Sequence, residues 1–135
     1  MIYFDTSALY KLIGNDAGID EFRVYVQNLL RNDYKICSSI LVKTELKRVA
    51  QRFDIPLSVV ERILEIVKLI EISTEDFDKA GELKTKNSKY LRSLDALHIV
   101  SAQKEHIDFV ITFDANQALV FEDFGYKVVK EIPLL

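Results

Sequence analysis

Short apolar segments of strand length alternate along this chain with longer segments whose apolar residues recur at helical spacing. Five segments have the length and composition of strands, at residues 2–4, 34–37, 69–72, 109–112 and 127–129. Strands that alternate with helices are typical of α/β proteins, because each helix carries the chain back to start a parallel strand. The sequence therefore predicts an α/β fold with a mostly parallel sheet.

The length of the chain fits one domain, which we place at residues 1–135. With 49% apolar residues the chain can bury one substantial core. The single cysteine, Cys37, cannot form an internal disulfide, which fits a reducing compartment. We find neither a secretory leader nor a segment apolar enough to span a bilayer. We therefore expect a cytoplasmic protein with no membrane partner.

The net charge argues against one class of nucleic-acid-binding protein. The formal charge of -3 at pH 7 excludes a protein that holds nucleic acid by bulk positive charge. A nuclease remains allowed, because a cluster of metal-binding carboxylates lowers the net charge while local basic residues contact phosphates.

Two helical patterns lie in the middle of the chain. Apolar residues run from Val42 through Leu46 at helical spacing, and Glu45 falls at the edge of that stripe, about 100° from Leu46. Such a residue can point into a cleft while its helix stays packed. Pro56 suits the first turn of the second helix, whose apolar pattern continues to Val67.

Helix-capping residues mark the later helices. Ser73 and Asp76 have the spacing of a capping box, which predicts a helix running toward Asn87. Ser93 is a candidate N-cap for the next helix. Gly125 is predicted to end the last helix, because glycine readily adopts the left-handed conformation found there.

Four carboxylates adjoin apolar segments at separate places in the chain: Asp5, Glu45, Asp95 and Asp114. Asp5 and Asp114 each follow a predicted strand. If those strands are parallel, their carboxyl ends face the same crevice, where open α/β sheets place their sites. The spacing predicts that the four side chains converge on an acidic pocket.

Converging carboxylates of this kind suit a divalent metal. Mg²⁺ takes oxygen ligands and keeps several waters, which leaves room for a phosphodiester substrate. We predict Asp5, Asp95 and Asp114 as ligands, with Glu45 a further ligand or a group that positions water. Nearby hydroxyls are predicted to orient these carboxylates, from Thr6, Ser7 and Thr112.

Each of these residues also has a purely structural interpretation. Asp5 or Asp114 can cap the helix that follows its strand, and Asp95 can satisfy a helix dipole in a first turn. Glu45 can be a solvated charge on a helix face. His98 lies one turn after Asp95, where a hydrogen-bonded structural role is favoured over contact with substrate. The hydroxyl residues can equally be turn residues bonded to the backbone.

Basic residues accompany the acids and could hold RNA phosphates. The candidates are Lys43 beside Glu45 and four residues that precede Asp95, namely Lys84, Lys86, Lys89 and Arg92. For any single lysine, a solvated helix face is the simpler interpretation.

The ordered motifs resemble a known family. Residues 3–9 (YFDTSAL), Ser38-Ser39 leading to Glu45, residues 92–98 (RSLDALH) and residues 111–114 (ITFD) are similar to the motifs of PIN-domain ribonucleases. The resemblance is greatest to the VapC toxins of bacterial and archaeal toxin–antitoxin pairs. The chain departs from the family after Asp114, where many members carry a basic residue and this chain continues Ala-Asn-Gln.

The resemblance implies a five-stranded parallel sheet flanked by helices and a Mg²⁺ or Mn²⁺ site. It also implies metal-dependent cleavage of RNA, a cognate antitoxin and a homodimer. The main alternative is a catalytically silent PIN-like module that binds RNA or a partner protein. A haloacid-dehalogenase phosphatase needs a second aspartate two residues after the first, where this chain has Ser7, and the early acidic pair of a receiver domain is missing.

Overall fold

The computed structural model describes residues 1–15, 17–86 and 91–132. Within these ranges the chain forms five strands: β1 (Ile2–Phe4), β2 (Ile36–Ser39), β3 (Val67–Ile70), β4 (Phe109–Ile111) and β5 (Val128–Val129). The same ranges hold seven helices: α1 (Thr6–Ile13), α2 (Ile19–Arg31), α3 (Val42–Arg52), α4 (Leu57–Glu65), α5 (Thr74–Glu82), α6 (Ser93–Gln103) and α7 (Ala115–Asp123). No helix in this described part of the chain has the length and apolar content needed to cross a membrane.

The strands form one sheet in the order β3-β2-β1-β4-β5, and the described strand pairs are all parallel. The predicted α/β fold with a five-stranded, mostly parallel sheet is confirmed. From β1 the chain first builds outward through β2 and β3, then crosses to the other side of β1 to add β4 and β5. The direction of winding therefore reverses between β1 and β4, which is where such sheets form a crevice at their carboxyl ends.

The central strand supplies both faces of the core. Ile2 and Phe4 belong to the cluster formed with α1 to α4, whereas Tyr3 belongs to the cluster formed with α6 and α7. This division follows from the period of two along a strand, which sends successive side chains to opposite faces. All three side chains are fully buried. Helix α5 packs against α6 through a third cluster that contains Ala80, Ala96, Leu97 and Val100.

The bounds of β2, β3, β4 and β5 differ from the prediction by one or two residues. Strand β2 begins at Ile36 rather than at residue 34, because Tyr34 donates its backbone N–H to Leu29 at the end of α2. Strand β3 begins at Val67, which the apolar pattern had assigned to the preceding helix. Val67 instead pairs with Ile36 across the sheet. Apolar residues continue from α4 into β3, so hydrophobicity alone did not locate the junction.

The helix-end predictions gave mixed results. The capping box of Ser73 and Asp76 is present, but α5 ends at Glu82 and does not continue toward Asn87, which lies outside the described residues. Ser93 is the first residue of α6 rather than its cap, and Arg92 occupies the N-cap position. Gly125 follows α7 with a φ of 90°, as predicted for a residue at a helix end.

Candidate active site

A cleft of about 350 Å³ opens at the carboxyl ends of β1 and β4. The four predicted carboxylates all contribute to its lining: Asp5, Glu45, Asp95 and Asp114. They come from four separate elements, because Asp5 follows β1, Glu45 lies in α3, Asp95 lies in α6 and Asp114 follows β4. The fold thus brings acids that are far apart in sequence to a single crevice.

Asp5 is held by three donors. Its Oδ1 accepts hydrogen bonds from the backbone N–H of Ala8 at 3.0 Å and from the hydroxyl of Ser7 at 2.7 Å. Its Oδ2 accepts one from the hydroxyl of Thr112. Burial nevertheless raises the pKa of Asp5 above its ordinary value, and these hydrogen bonds offset only part of that effect. Asp5 is both the N-cap of α1 and part of the cleft, while Ser7 and Thr112 fix its orientation.

Thr6 does not share in this network. Its side chain lines the cleft, but its hydroxyl is buried and has no hydrogen-bond partner among the residues that the structure describes. The predicted role of Thr6 in orienting a carboxylate has no support in these contacts.

Asp114 caps α7. Its Oδ1 accepts from the backbone N–H groups of Asn116 at 2.9 Å and Gln117 at 3.1 Å. Its Oδ2 lies 3.5 Å from Nη2 of Arg92. The capping interpretation and the cleft position therefore both apply to this residue.

Asp95 lies in the first turn of α6 and is paired with Arg92. The guanidinium places Nε 2.7 Å from Oδ2 and Nη2 3.3 Å from Oδ1 of Asp95. The side-chain amide of Asn116 donates a further hydrogen bond at 3.1 Å. Arg92 thus bridges Asp95 and Asp114; its own side chain is 50% exposed, whereas that of Asp95 is only 10% exposed.

Glu45 is held by a buried histidine. Nε2 of His98 lies 2.9 Å from Oε1 of Glu45, and Nδ1 lies 2.6 Å from the hydroxyl of Tyr3. The hydroxyl of Tyr3 also accepts the backbone N–H of Ser39 at 3.2 Å. His98 is only 4% exposed, which agrees with the expectation of a hydrogen-bonded histidine.

Sequence reasoning missed the contributions of Tyr3, Asn116 and Gln117. Tyr3 carried a signal, because a tyrosine inside a short apolar strand needs a partner for its hydroxyl. Gln117 is 2% exposed and lines the cleft, yet neither polar atom of its amide has a hydrogen-bond partner in the described part of the chain. An unpaired buried amide is costly, so this side chain is suited to a ligand that the cleft would hold.

The chemistry of the cleft fits a hard divalent cation such as Mg²⁺, since its lining offers carboxylate oxygens. The unpaired amide of Gln117 is suited to a metal that keeps part of its water shell. Among the described residues, no three acidic, histidine or cysteine side chains already lie close enough together to ligate one ion. Each of the four acids is instead bonded to protein groups. Metal binding would therefore require Arg92 to move away from Asp95 and Asp114.

The other predicted basic residues that the structure describes lie outside the lining of the cleft. Lys43 on α3 is exposed, as is Lys84. The backbone N–H of Lys86 donates to Asp123 at the end of α7, about 13 Å along the helix from Asp114. Lys89 falls outside the described residues. Arg92 is the predicted phosphate-binding residue that the structure brings to the cleft.

Comparison with known proteins gives a consistent result. The family model described as PIN domain matches residues 2–122. Ribonuclease VapC47 of Mycobacterium tuberculosis (strain CDC 1551 / Oshkosh) is 31% identical over 116 residues, which cover 84% of this chain and 85% of that protein. Ribonuclease VapC46 of M. tuberculosis (strain ATCC 25618 / H37Rv) is 28% identical over 131 residues, 95% of each chain.

Two solved structures share the fold. M. tuberculosis VapC20, described as a sarcin-ricin loop cleaving toxin, superposes with a TM-score of 0.71 at 20% identity. The match covers 98% of this chain and 100% of that one. A chain of a toxin–antitoxin complex from Klebsiella pneumoniae has a TM-score of 0.67 at 17% identity, with 96% of each chain covered.

Proposed function

This chain belongs to the PIN domain family, and we propose that it is a metal-dependent endoribonuclease that acts as the toxin of a type II toxin–antitoxin pair. The relatives named ribonucleases support hydrolysis of RNA as its activity. The neighbour described as a toxin–antitoxin complex supports a cognate antitoxin as its partner.

One observation carries the proposal. Four carboxylates from four separate elements line one cleft at the point where the winding of the sheet reverses. Two of these acids cap helices and two pair with Arg92, yet gathering four acids in one cleft still incurs repulsion between like charges. A shared cation would offset that repulsion.

The proposed cofactor is Mg²⁺ or Mn²⁺, which Asp5, Glu45, Asp95 and Asp114 would hold. Such an ion polarises the phosphate and lowers the pKa of the attacking water. The protein itself contributes orientation, since the hydroxyl groups around Asp5 fix both of its oxygens. Arg92 carries a positive charge at the mouth of the cleft and is placed to hold a substrate phosphate once it releases the acids.

We further propose that RNA extends beyond the cleft onto exposed lysines and that the chain forms a homodimer in the cytoplasm. Replacing Lys84 and Lys86 together with alanine should flatten the salt dependence of RNA binding, because fewer counterions are released per complex. An unchanged slope would leave these lysines as a solvated surface. Light scattering after size exclusion tests the dimer.

Cleavage assays on the variants Asp5→Asn and Asp95→Asn test the central proposal. Each change keeps the shape of the side chain but removes the charge that holds the metal, so cleavage of an RNA panel in Mg²⁺ or Mn²⁺ should be lost. Asp78→Asn is the matched control, because Asp78 is exposed on α5 and lies outside the cleft lining. Circular dichroism checks that all three variants fold.

The result that would overturn the proposal is cleavage at the wild-type level by both cleft variants. The rival function is a catalytically silent module that binds RNA or protein. The observation that favours it is the absence, among the described residues, of a preformed group of three metal-ligating side chains. Titration of the wild-type protein with Mn²⁺ separates the two, because a silent module would bind RNA or its partner without binding the metal.

A further inference from the structure

A continuous chain of hydrogen bonds runs from the buried sheet to the cleft. The backbone N–H of Ser39 donates to the hydroxyl of Tyr3 at 3.2 Å, and that hydroxyl lies 2.6 Å from Nδ1 of His98. Nε2 of the same ring lies 2.9 Å from Oε1 of Glu45. Strands β1 and β2 and helices α3 and α6 each contribute one residue, so these hydrogen bonds connect the core of the sheet to Glu45 in the cleft.

The position of each proton in this chain follows from what its neighbours can donate. The N–H of Ser39 occupies an acceptor position of the Tyr3 oxygen, which leaves the single hydroxyl proton for Nδ1 of His98. A carboxylate only accepts, so Nε2 of His98 must carry a proton that it donates to Glu45. Both requirements are met when the ring proton lies on Nε2 and Nδ1 accepts from Tyr3.

Burial supports this assignment. Tyr3 is fully buried, and burial raises the pKa of its hydroxyl well above the ordinary value, so the group stays protonated and can donate.

We infer that Tyr3 and His98 are positioning residues that hold Glu45 in the orientation used for metal binding and cleavage. His98 donates a hydrogen bond to Oε1 of Glu45, and none of the residues that the structure describes makes a hydrogen bond to Oε2. The second oxygen can therefore face the cation or its bound water. This inference rests on the proposed function, since it assigns a purpose to Glu45 within that site.

A pair of substitutions at His98 separates positioning from simple packing. In His98→Gln the side-chain amide nitrogen falls near the former position of Nε2 and can still donate to Glu45. In His98→Asn the amide falls near the former position of Nδ1 and cannot reach Glu45. Both variants lose the ring, so a role in packing alone would affect them alike.

Calorimetric titration with Mn²⁺ in the absence of RNA is the primary readout. We expect His98→Asn to bind Mn²⁺ about 10- to 100-fold more weakly than wild type, the usual cost of removing a group that orients a ligand, and His98→Gln to recover most of that loss. Tyr3→Phe should also weaken binding, by about 10-fold, because the ring of His98 loses its anchor. Tyr126→Phe is the control, since the hydroxyl of Tyr126 takes no part in the hydrogen bonds that link Ser39 to Glu45.

Nitrogen-15 NMR of the metal-free wild-type protein provides a second readout that does not depend on metal or RNA. We expect the ring proton of His98 on Nε2, with Nδ1 accepting from Tyr3. A proton on Nδ1 would overturn the inferred direction of these hydrogen bonds. Equal Mn²⁺ affinity in His98→Asn, His98→Gln and wild type would overturn the positioning role.

These outcomes are distinguishable from failure of the proposed function. If the wild-type protein binds Mn²⁺ and the His98→Asn and Tyr3→Phe variants bind it more weakly, but no RNA is cleaved, the ribonuclease assignment fails and the positioning role stands. If RNA is cleaved, and the His98→Asn and Tyr3→Phe variants bind Mn²⁺ and cleave RNA as the wild-type protein does, only the positioning role fails. If the wild-type protein binds no Mn²⁺, both proposals fall.

Discussion

Replacing Gln117 by methionine should raise the stability of the metal-free protein and lower its activity. The side chain is 2% exposed, and both polar atoms of its amide are buried without a hydrogen-bond partner in the described part of the chain. Methionine has a similar length and volume and no group that needs a partner. The change therefore removes a desolvation cost without opening a cavity.

The size of the effect follows from the cost of an unsatisfied buried group, which is about 1–3 kcal/mol, less any loss from imperfect repacking, which is usually below about 1.5 kcal/mol. Set against a mid-range cost of about 2 kcal/mol, that loss leaves a net gain of about 0.5–2 kcal/mol in the free energy of unfolding. For a chain of this length, each kcal/mol raises the melting temperature by about 4 °C. Thermal and urea melts in EDTA measure both quantities. Gln103→Met, an exposed change on α6, should shift stability by less than about 0.5 kcal/mol.

The metal-bound state should reverse the advantage. If the amide of Gln117 serves a ligand in the cleft, such as a metal-bound water, the wild-type protein should gain more stability than Gln117→Met when Mn²⁺ is added. Cleavage of RNA by the variant should fall as well. A variant that is less stable than wild type in EDTA, and that gains as much from Mn²⁺, would show that the amide has a structural partner and no role in the site.

Two further predictions concern charged pairs. Asp76→Asn should lower stability at neutral pH by about 1 kcal/mol, because the carboxylate caps its helix and accepts a hydrogen bond from Lys104. That bond contributes most to lowering the pKa of Asp76 from 3.8 to about 2, so its stabilisation is present above 3.8 and is lost as the pH falls through about 2. Urea melts at pH 7 and pH 2 should show the difference between the two proteins shrinking in acid, and a constant difference would contradict this account. Arg92→Gln should bind Mn²⁺ more tightly than wild type in calorimetry, since the ion no longer displaces a guanidinium. Weaker binding would mean that Arg92 shapes the site rather than blocking it.

The parts of the fold that could be predicted are those governed by local pattern. The apolar segment before Asp5 is short and ends at a capping residue, so β1 was placed without error. The boundary between α4 and β3 was misplaced, because apolar residues are continuous across it and only strand pairing places Val67. Helix α1 was considered only through the alternative that Asp5 caps a helix after β1, and no helical pattern was assigned to it. Its eight residues follow β1 with a single residue between them, which leaves little sequence in which helical spacing can be recognised.

Only the convergence of the four acids could be predicted from the sequence. That convergence depends on strand ends and helix faces, and the topology of the sheet fixes where these meet. The hydrogen bonds within the cleft depend instead on the register of elements that are distant in sequence. Asn116 reaches Asp95 only because α7 begins beside α6, and Tyr3 reaches His98 only because α6 packs on that face of the sheet. No local pattern around either residue carries that information.

The structure also changes the expected electrostatics of the cleft. Clustered carboxylates are expected to raise one another's pKa values, and the pKa of Asp5 is indeed raised. The largest cause is burial, however, rather than a neighbouring acid. Arg92 lies between Asp95 and Asp114 and supplies the positive charge that the sequence argument reserved for the metal.

When a group has a higher pKa in the folded protein than in the unfolded chain, its protonated form stabilises the fold. That stabilisation is fully present at pH values below the pKa of the unfolded chain, and it is lost as the pH rises through the pKa of the folded protein. In metal-free protein, burial of the Asp5 carboxylate therefore opposes folding as the pH rises, whereas the pairs made by Arg92 favour it. A divalent cation would relieve the first effect and replace the second.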